Sequence, residues 1–214
     1  MTKPLRADAE RNRRKLLDAA AELFARKGLA VGLDEIARHA GVGVATAYRR
    51  FPEKEQLIEA LFDDRLEQIA ALAERCAADP DAWHGLVEFF EGNVALQSTD
   101  QGLKELVFGS PHAIARVQEA RERILPAVQT LLARTQAAGQ TRADLTDTDV
   151  ALIQFMLTSL ADLTRDADPE VWRRHLRLVL DGLRTPEPEE MPARPLSRDA
   201  LDGVIRGLPH GTRR

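Results

Sequence analysis

Tyr48, Arg49 and Arg50 close the run VATAYRR between Gly43 and the Phe51-Pro52 pair, and Lys54 follows one helical turn later. A guanidinium fork pairs bidentately with phosphate oxygens or with guanine, whereas an ammonium is a compact point charge suited to phosphate. Val44, Ala45 and the Thr46 methyl are apolar groups of the size that meets thymine methyls. On a helix starting near Val44, the side chains of Val44, Ala45, Thr46 and Arg49 face outward, within reach of base edges in a major groove. Tyr48, Arg50 and Lys54 fall where phosphates flank that groove. Singly, each residue has a plainer role: Tyr48 as a core aromatic, Arg49 and Arg50 as a solvated face. The joint case rests on their mutually consistent helical offsets.

Such a helix needs a frame. Leu16, Leu17, Ala20, Leu23 and Phe24 recur at the spacing of one helix face and predict a helix over 7–27, ended by Gly28 after Arg26 and Lys27. LDEIARHA predicts a second helix over 33–40, with Gly32 as N-cap and Asp34 and Glu35 in the first turn. Gly41 breaks it, and a third helix runs from about Val44 to Phe51, where Pro52 intervenes. Two short helices joined by a glycine turn and held by a third make a helix-turn-helix unit, with Ala37 small at the crossing and Ile36, Val42 and Phe51 as inner core. Further helices are predicted over about 54–78, 83–98, 112–138, 147–166, 169–184 and 197–207, the last capped by Ser197, with Pro126 expected to kink the third of these six. No stretch alternates as a strand would. The expectation is an all-α chain with a DNA-binding domain over 1–53 and a larger helical domain over 54–214.

Charge supports that division. Residues 1–54 hold 12 Lys/Arg against 7 Asp/Glu, and residues 55–214 hold 18 against 27, so a basic head precedes an acidic body. The single cysteine, Cys76, excludes an internal disulfide and a multi-cysteine zinc site. No apolar run approaches the ~20 residues of a bilayer span, and the polar start is unlike a signal peptide, which predicts a cytoplasmic protein without a membrane partner. The five histidines are scattered with no Glu-x-x-His pair, and there is no glycine-rich phosphate loop or nucleophile elbow. The chain is therefore expected to be no enzyme and to hold no metal or cofactor.

Residues 13–62, RRKLLDAAAELFARKG…LDEIARHAGVGVATAYRRFPEKEQLIEALF, resemble the N-terminal domain of the TetR family of bacterial transcriptional regulators. The resemblance implies about nine helices, a homodimer, palindromic double-stranded DNA operators and a small-molecule pocket in the C-terminal part. By position it implies that Thr46 lies near bases, that Tyr48, Arg50 and Lys54 bind phosphates, and that Val44 and Ala45 set operator sequence. Three positions depart from the family pattern: Gly32 brings no capping hydroxyl, Ala47 is smaller than the usual aliphatic residue, and Gly43 offers no side chain at the start of the recognition helix. The basic residues Arg6, Arg11, Arg13 and Arg14, near the start of the chain, are either backbone or minor-groove contacts or solvated.

In the body, Val150, Ile153, Leu157 and Leu160 form one stripe and Trp172, Leu176, Val179 and Leu183 another, the pattern of a four-helix dimer bundle or of a cover over the chain's own core. Phe89, Phe90, Phe108 and Phe155, with the polar Asn93, His112, Gln118 and Arg121 nearby in sequence, are candidates to line an effector pocket or are ordinary core. The residues leave open repression against activation, and a ligand-free docking role.

Overall fold

The structure, a computed structural model, describes residues 3–98, 111–184 and 189–207, with side chains placed at 8–97, 119–184 and 189–204. Among these residues every regular element is helical: α1 (Lys3–Lys27), α2 (Leu33–His39), α3 (Val44–Arg50), α4 (Lys54–Ala77), α5 (Ala82–Ser98), α6 (Pro111–Ala137), α7 (Asp147–Thr164), α8 (Val171–Leu183) and α9 (Arg198–Gly207), with a 3₁₀ turn at Gly28–Ala30. The chain divides into two compact units. One holds α1 to α3 and α4 as far as Leu66; the other takes α4 from Glu67, α5, α6 from Val117, and α7 to α9.

The first unit is built on an apolar centre. Leu16, Leu17, Ala20, Leu23 and Phe24 of α1 meet Ile36 and Ala37 of α2, Ala47 of α3, and Leu57, Ile58 and Leu61 of α4, with Val42 and Phe51 filling the turns. The α2–α3 turn has an identifiable cause. Gly41 adopts φ +63°, its N–H donates to the Arg38 carbonyl at 3.2 Å, and the Val42 N–H reaches the Ala37 carbonyl at 2.9 Å. Those paired bonds close α2 as a Schellman motif, which needs a left-handed residue where glycine has no Cβ penalty. Gly32 caps α2 through its backbone alone, accepting from the Glu35 and Ile36 N–H groups at 3.1 and 3.2 Å.

The second unit packs α5, α6, α7 and α8 with the latter part of α4 around Phe89, Phe90, Leu131, Leu157, Trp172 and Leu176. The turn between α4 and α5 is tight: a Cβ on Gly85 would lie 2.4 Å from the Cys76 carbonyl oxygen, so only glycine permits this approach. Arg134 of α6 holds the same turn by donating to the carbonyls of Ala77 at 2.7 Å and Pro80 at 3.1 Å. α6 continues through Pro126, where a kink is expected from sequence, and the Thr130 hydroxyl donates to the Pro126 carbonyl at 2.9 Å. α7 opens with a capping box in which Thr146 and Asp149 satisfy each other's backbone N–H. α8 starts two residues later than its periodicity suggests, because the Asp168 carboxylate accepts from the Glu170 N–H at 2.9 Å and holds a turn there. Ser197 caps α9. α9 is tied back by Arg198 to Asp147 at 2.6 Å, by the Thr148 hydroxyl to the Leu196 carbonyl at 3.0 Å, and by buried Leu201.

Candidate nucleic-acid interface

α3 turns one small residue inward and the rest outward. Ala47 is fully buried, so α3 lies close against the first core, and Thr46 and Ala47 N–H groups bond the Gly43 carbonyl at 2.8 and 3.0 Å to start the helix. Val44, Ala45, Tyr48, Arg49 and Arg50 are exposed and Thr46 is half-buried. Tyr48 keeps 46% of its surface open, an unusual exposure for an aromatic ring beside a packed core. The structure thus brings all six onto one solvent-facing surface of a seven-residue helix.

Their partners differ. The Asp34 carboxylate of α2 accepts a hydrogen bond from the Tyr48 hydroxyl and holds its phenol above the ordinary range. Arg50 stands 4.0 Å from Glu10 of α1. Arg49 pairs with no carboxylate among the described residues. Lys54 is half-buried: its ammonium donates to the Leu29 carbonyl and lies 5.9 Å from the centre of the Phe24 ring, so part of its work is to fasten α4 to the turn after α1. That internal bond has no sequence signal, since Leu29 precedes Lys54 by 25 residues.

Three of the arginines near the start of α1 are engaged with acids. Arg11 meets Asp8 at 3.2 Å, Arg13 meets Glu10 at 3.3 Å, and Arg14 joins Asp18 at 2.9 Å and Asp64 of α4 at 2.8 Å. The side chain of Arg6 lies outside those described.

The described body residues singled out from sequence stand in different settings. Phe89 and Phe90 are buried, with ring centres 6.5 Å apart, and Asn93 on the same helix accepts from Gln97 at 2.7 Å. Arg121 is paired with Asp202 of α9. Phe155 faces out, 49% exposed. Phe108 lies outside the described residues, as do the side chains of His112 and Gln118.

The stripe assigned to a dimer surface needs correction. Val150, Leu157, Trp172, Leu176 and Leu183 are buried within this chain's own core, and Ile153, Leu160 and Val179 pack against it. The apolar residues that α7 and α8 leave open are Phe155, Met156, Leu163 and Leu178. Both sets obey helical periodicity, and periodicity alone does not tell which stripe the chain itself covers.

Two other features bear on chemistry. Asp79, His84 and Glu88 bring potential ligand atoms within 4.8 Å of one another, but on an exposed turn where Asp79 accepts from the Asp81 N–H at 2.8 Å and Asp81 caps α5. Burial, and then the neighbouring Glu88 carboxylate, pushes the Cys76 thiol up to about 11, which leaves it a poor nucleophile. Among the described residues no helix is long and apolar enough to cross a membrane.

Two family models match. Residues 16–61 match the model for bacterial regulatory proteins of the TetR family, and residues 79–185 match that for the C-terminal domain of SbtR-like transcriptional regulators. A TetR transcription regulatory protein of Mycobacterium vanbaalenii is 37% identical, with 85% of this chain and 100% of that chain covered and a TM-score of 0.66. A TetR transcriptional regulator of Streptomyces coelicolor is 28% identical over 82% and 99% of the two chains, with a TM-score of 0.64. The HTH-type transcriptional repressor KstR of Mycolicibacterium smegmatis is 28% identical over 185 residues, 82% of this chain and 89% of that protein.

Proposed function

The chain belongs to the TetR family of transcriptional regulators, and from that premise we propose that it is a cytoplasmic repressor that binds a palindromic operator as a homodimer and leaves it when a small molecule binds. The observation that carries this proposal is the surface of α3. A short helix pinned by buried Ala47 presents Val44, Ala45, Thr46 and Arg49 toward base edges, with Tyr48 and Arg50 beside them at phosphates. Arg49, without a carboxylate among the described residues, is the side chain best placed to read guanine. Lys54 divides its donors between Leu29 and a phosphate, since an ammonium has three.

One head reads few base pairs, and two-fold repetition multiplies its specificity. Phe155, Met156, Leu163 and Leu178 support a second copy at α7 and α8, because large apolar groups left open on adjacent helices mark an association surface. Ligand control would act through α4, one continuous helix from the first unit into the second. A ligand that favours one arrangement of the second unit would shift the population of head spacings, which must match ~34–36 Å on DNA. Repression is the sign that the KstR likeness supports.

Selection of bound sequences from a random DNA pool tests the proposal. A palindromic consensus is the expected result. Loss of all binding at physiological salt, without enrichment of any sequence, would reduce the head to nonspecific electrostatic attachment and move a protein-docking role to the front.

A further inference from the structure

Of the buried side-chain atoms in the second unit without a hydrogen-bond partner among the described residues, two oxygens lie on α7. Gln154 and Thr158 are each 5% exposed, one helical turn apart on the face that packs against α5. The Gln154 amide nitrogen donates to the Phe89 carbonyl at 3.4 Å, which turns its Oε1 away with nothing to accept from, and the Thr158 Oγ1 is likewise unpaired. Phe89, Phe90, Leu157 and Ala161 belong to the apolar core that α5 and α7 share.

The other buried polar residues described in this unit are satisfied. The Thr135 hydroxyl donates to the Leu132 carbonyl at 3.0 Å and accepts from Thr141, and the Thr148 hydroxyl reaches the Leu196 carbonyl at 3.0 Å. The other two unpaired atoms, on Gln140 and Arg165, belong to partly exposed residues beyond helix ends. A mid-helix pair of orphaned oxygens in an apolar setting costs stability and calls for an explanation. Valine and leucine would serve packing better at both positions.

The geometry points to Gln154 and Thr158 as the polar end of a small-molecule site in the second unit, one that takes an uncharged, hydroxyl-bearing apolar molecule. The chemistry follows from the atoms. An amide oxygen only accepts, so the ligand must donate to it; the Thr158 hydroxyl can give or take a second bond. The buried polar side chains described here are Asn, Gln and Thr, none of them charged, so a carboxylate or an ammonium would be buried without a counter-charge. A carboxylate would also set its own oxygens against the Gln154 oxygen. This inference rests on the ligand-responsive part of the proposed function and names the chemical class that such control would sense.

The test uses the purified full-length protein and two near-isosteric variants, Gln154→Met and Thr158→Val. If the oxygens are held for a ligand, each variant should melt higher than the ligand-free wild type, by about 2–4 °C. A lower Tm in both would show that the oxygens are satisfied structural groups, for example by an internal water, and would overturn the inference. Decan-1-ol, decanoate and methyl decanoate then serve as probes of one apolar body with three ends. Only decan-1-ol should raise the wild-type Tm, and its apparent Kd should weaken at least tenfold in either variant. Equal shifts by the ester or the acid, unchanged in the variants, would overturn both the donor requirement and the place of the site at Gln154 and Thr158 while leaving ligand control standing; no shift by any of the three would overturn the site. Decan-1-ol binding that leaves affinity for the selected operator unchanged would establish the site and sink ligand control instead.

Discussion

The two units bury different chemistry. Among the described residues the first unit hides no polar side chain: Asn93, Thr135, Thr141, Thr148, Gln154 and Thr158, the buried polar residues, all lie in the second. The first unit puts its polar groups on the outside of α3, above an interior of Leu, Ile, Phe and Ala. A purely apolar interior with one small residue under the working helix fixes the direction of that helix, which DNA readout requires. A polar interior has lower packing stability and retains the capacity to recognise something brought inside. On the proposed reading the first unit is a platform and the second a receptor.

The largest effects should come from the interiors, where the contrast can be broken. Leu57→Ala in the first core and Phe90→Ala in the second each remove a fully buried side chain and should cost about 2–5 kcal/mol by urea unfolding. Similar losses would show that apolar packing dominates both units despite the polar groups of the second. A loss under 1 kcal/mol for Phe90→Ala would mean that the second interior is loosely packed, contrary to the close approach of Gly85 to Cys76.

The outer face of α3 sharpens the same contrast. Arg49→Ala should cost about 1–3 kcal/mol of discrimination at one base pair and alter the selected consensus, while Arg50→Ala should weaken all sequences alike and lower the salt slope by about 1. Both residues are exposed, so neither change should move the Tm appreciably. A fall in Tm with an unaltered consensus would show that these arginines hold the unit together. Next in size, Thr146→Ala removes the capping box of α7 and should cost about 1 kcal/mol, read by thermal unfolding, with operator selection unchanged.

Much of the frame was legible in the sequence, and the reasons are local. Helix ends are set within a few residues by glycines, prolines and hydroxyl caps, so α2, α3, α4 and α9 begin and end within a residue of their predicted bounds. The outward residues of α3 follow from offsets within seven positions. What sequence could not supply is the choice between equivalent stripes and the identity of distant partners. Val150 and Leu157 are core and Phe155 is surface because α5 and α8 pack on one side of α7, a fact absent from the helix's own periodicity. The bond from Lys54 to Leu29, the pairing of Arg14 with Asp64, and the Asp34 carboxylate at Tyr48 are likewise tertiary.

The smallest effect concerns pH and separates the exposed polar groups of the second unit from its buried ones. His84 Nδ1, in the first turn of α5, lies 2.8 Å from Asp79 Oδ2 in the turn before that helix. The hydrogen bond to Asp79, and then its charge, raises the His84 pKa; the same bond lowers that of Asp79. The raised His84 value means that its contribution to stability is complete below the ordinary histidine value of about 6.5 and is lost as pH rises through the folded value. The lowered Asp79 value means that its contribution is present above the ordinary aspartate value of about 3.9 and is lost as pH falls through the folded one. The pair therefore contributes most between these two ordinary values, and only slightly, because both groups meet solvent. An NMR titration of His84 should show its pKa falling toward the ordinary value in Asp79→Asn, and an unchanged titration would mean that the pair does not form in solution. Gln154 and Thr158 carry no titratable proton in this range, so the melting gain expected of Gln154→Met and Thr158→Val should be the same at pH 5 and pH 8. A gain that followed the His84 titration would trace their effect to the exposed turn and not to the buried oxygens.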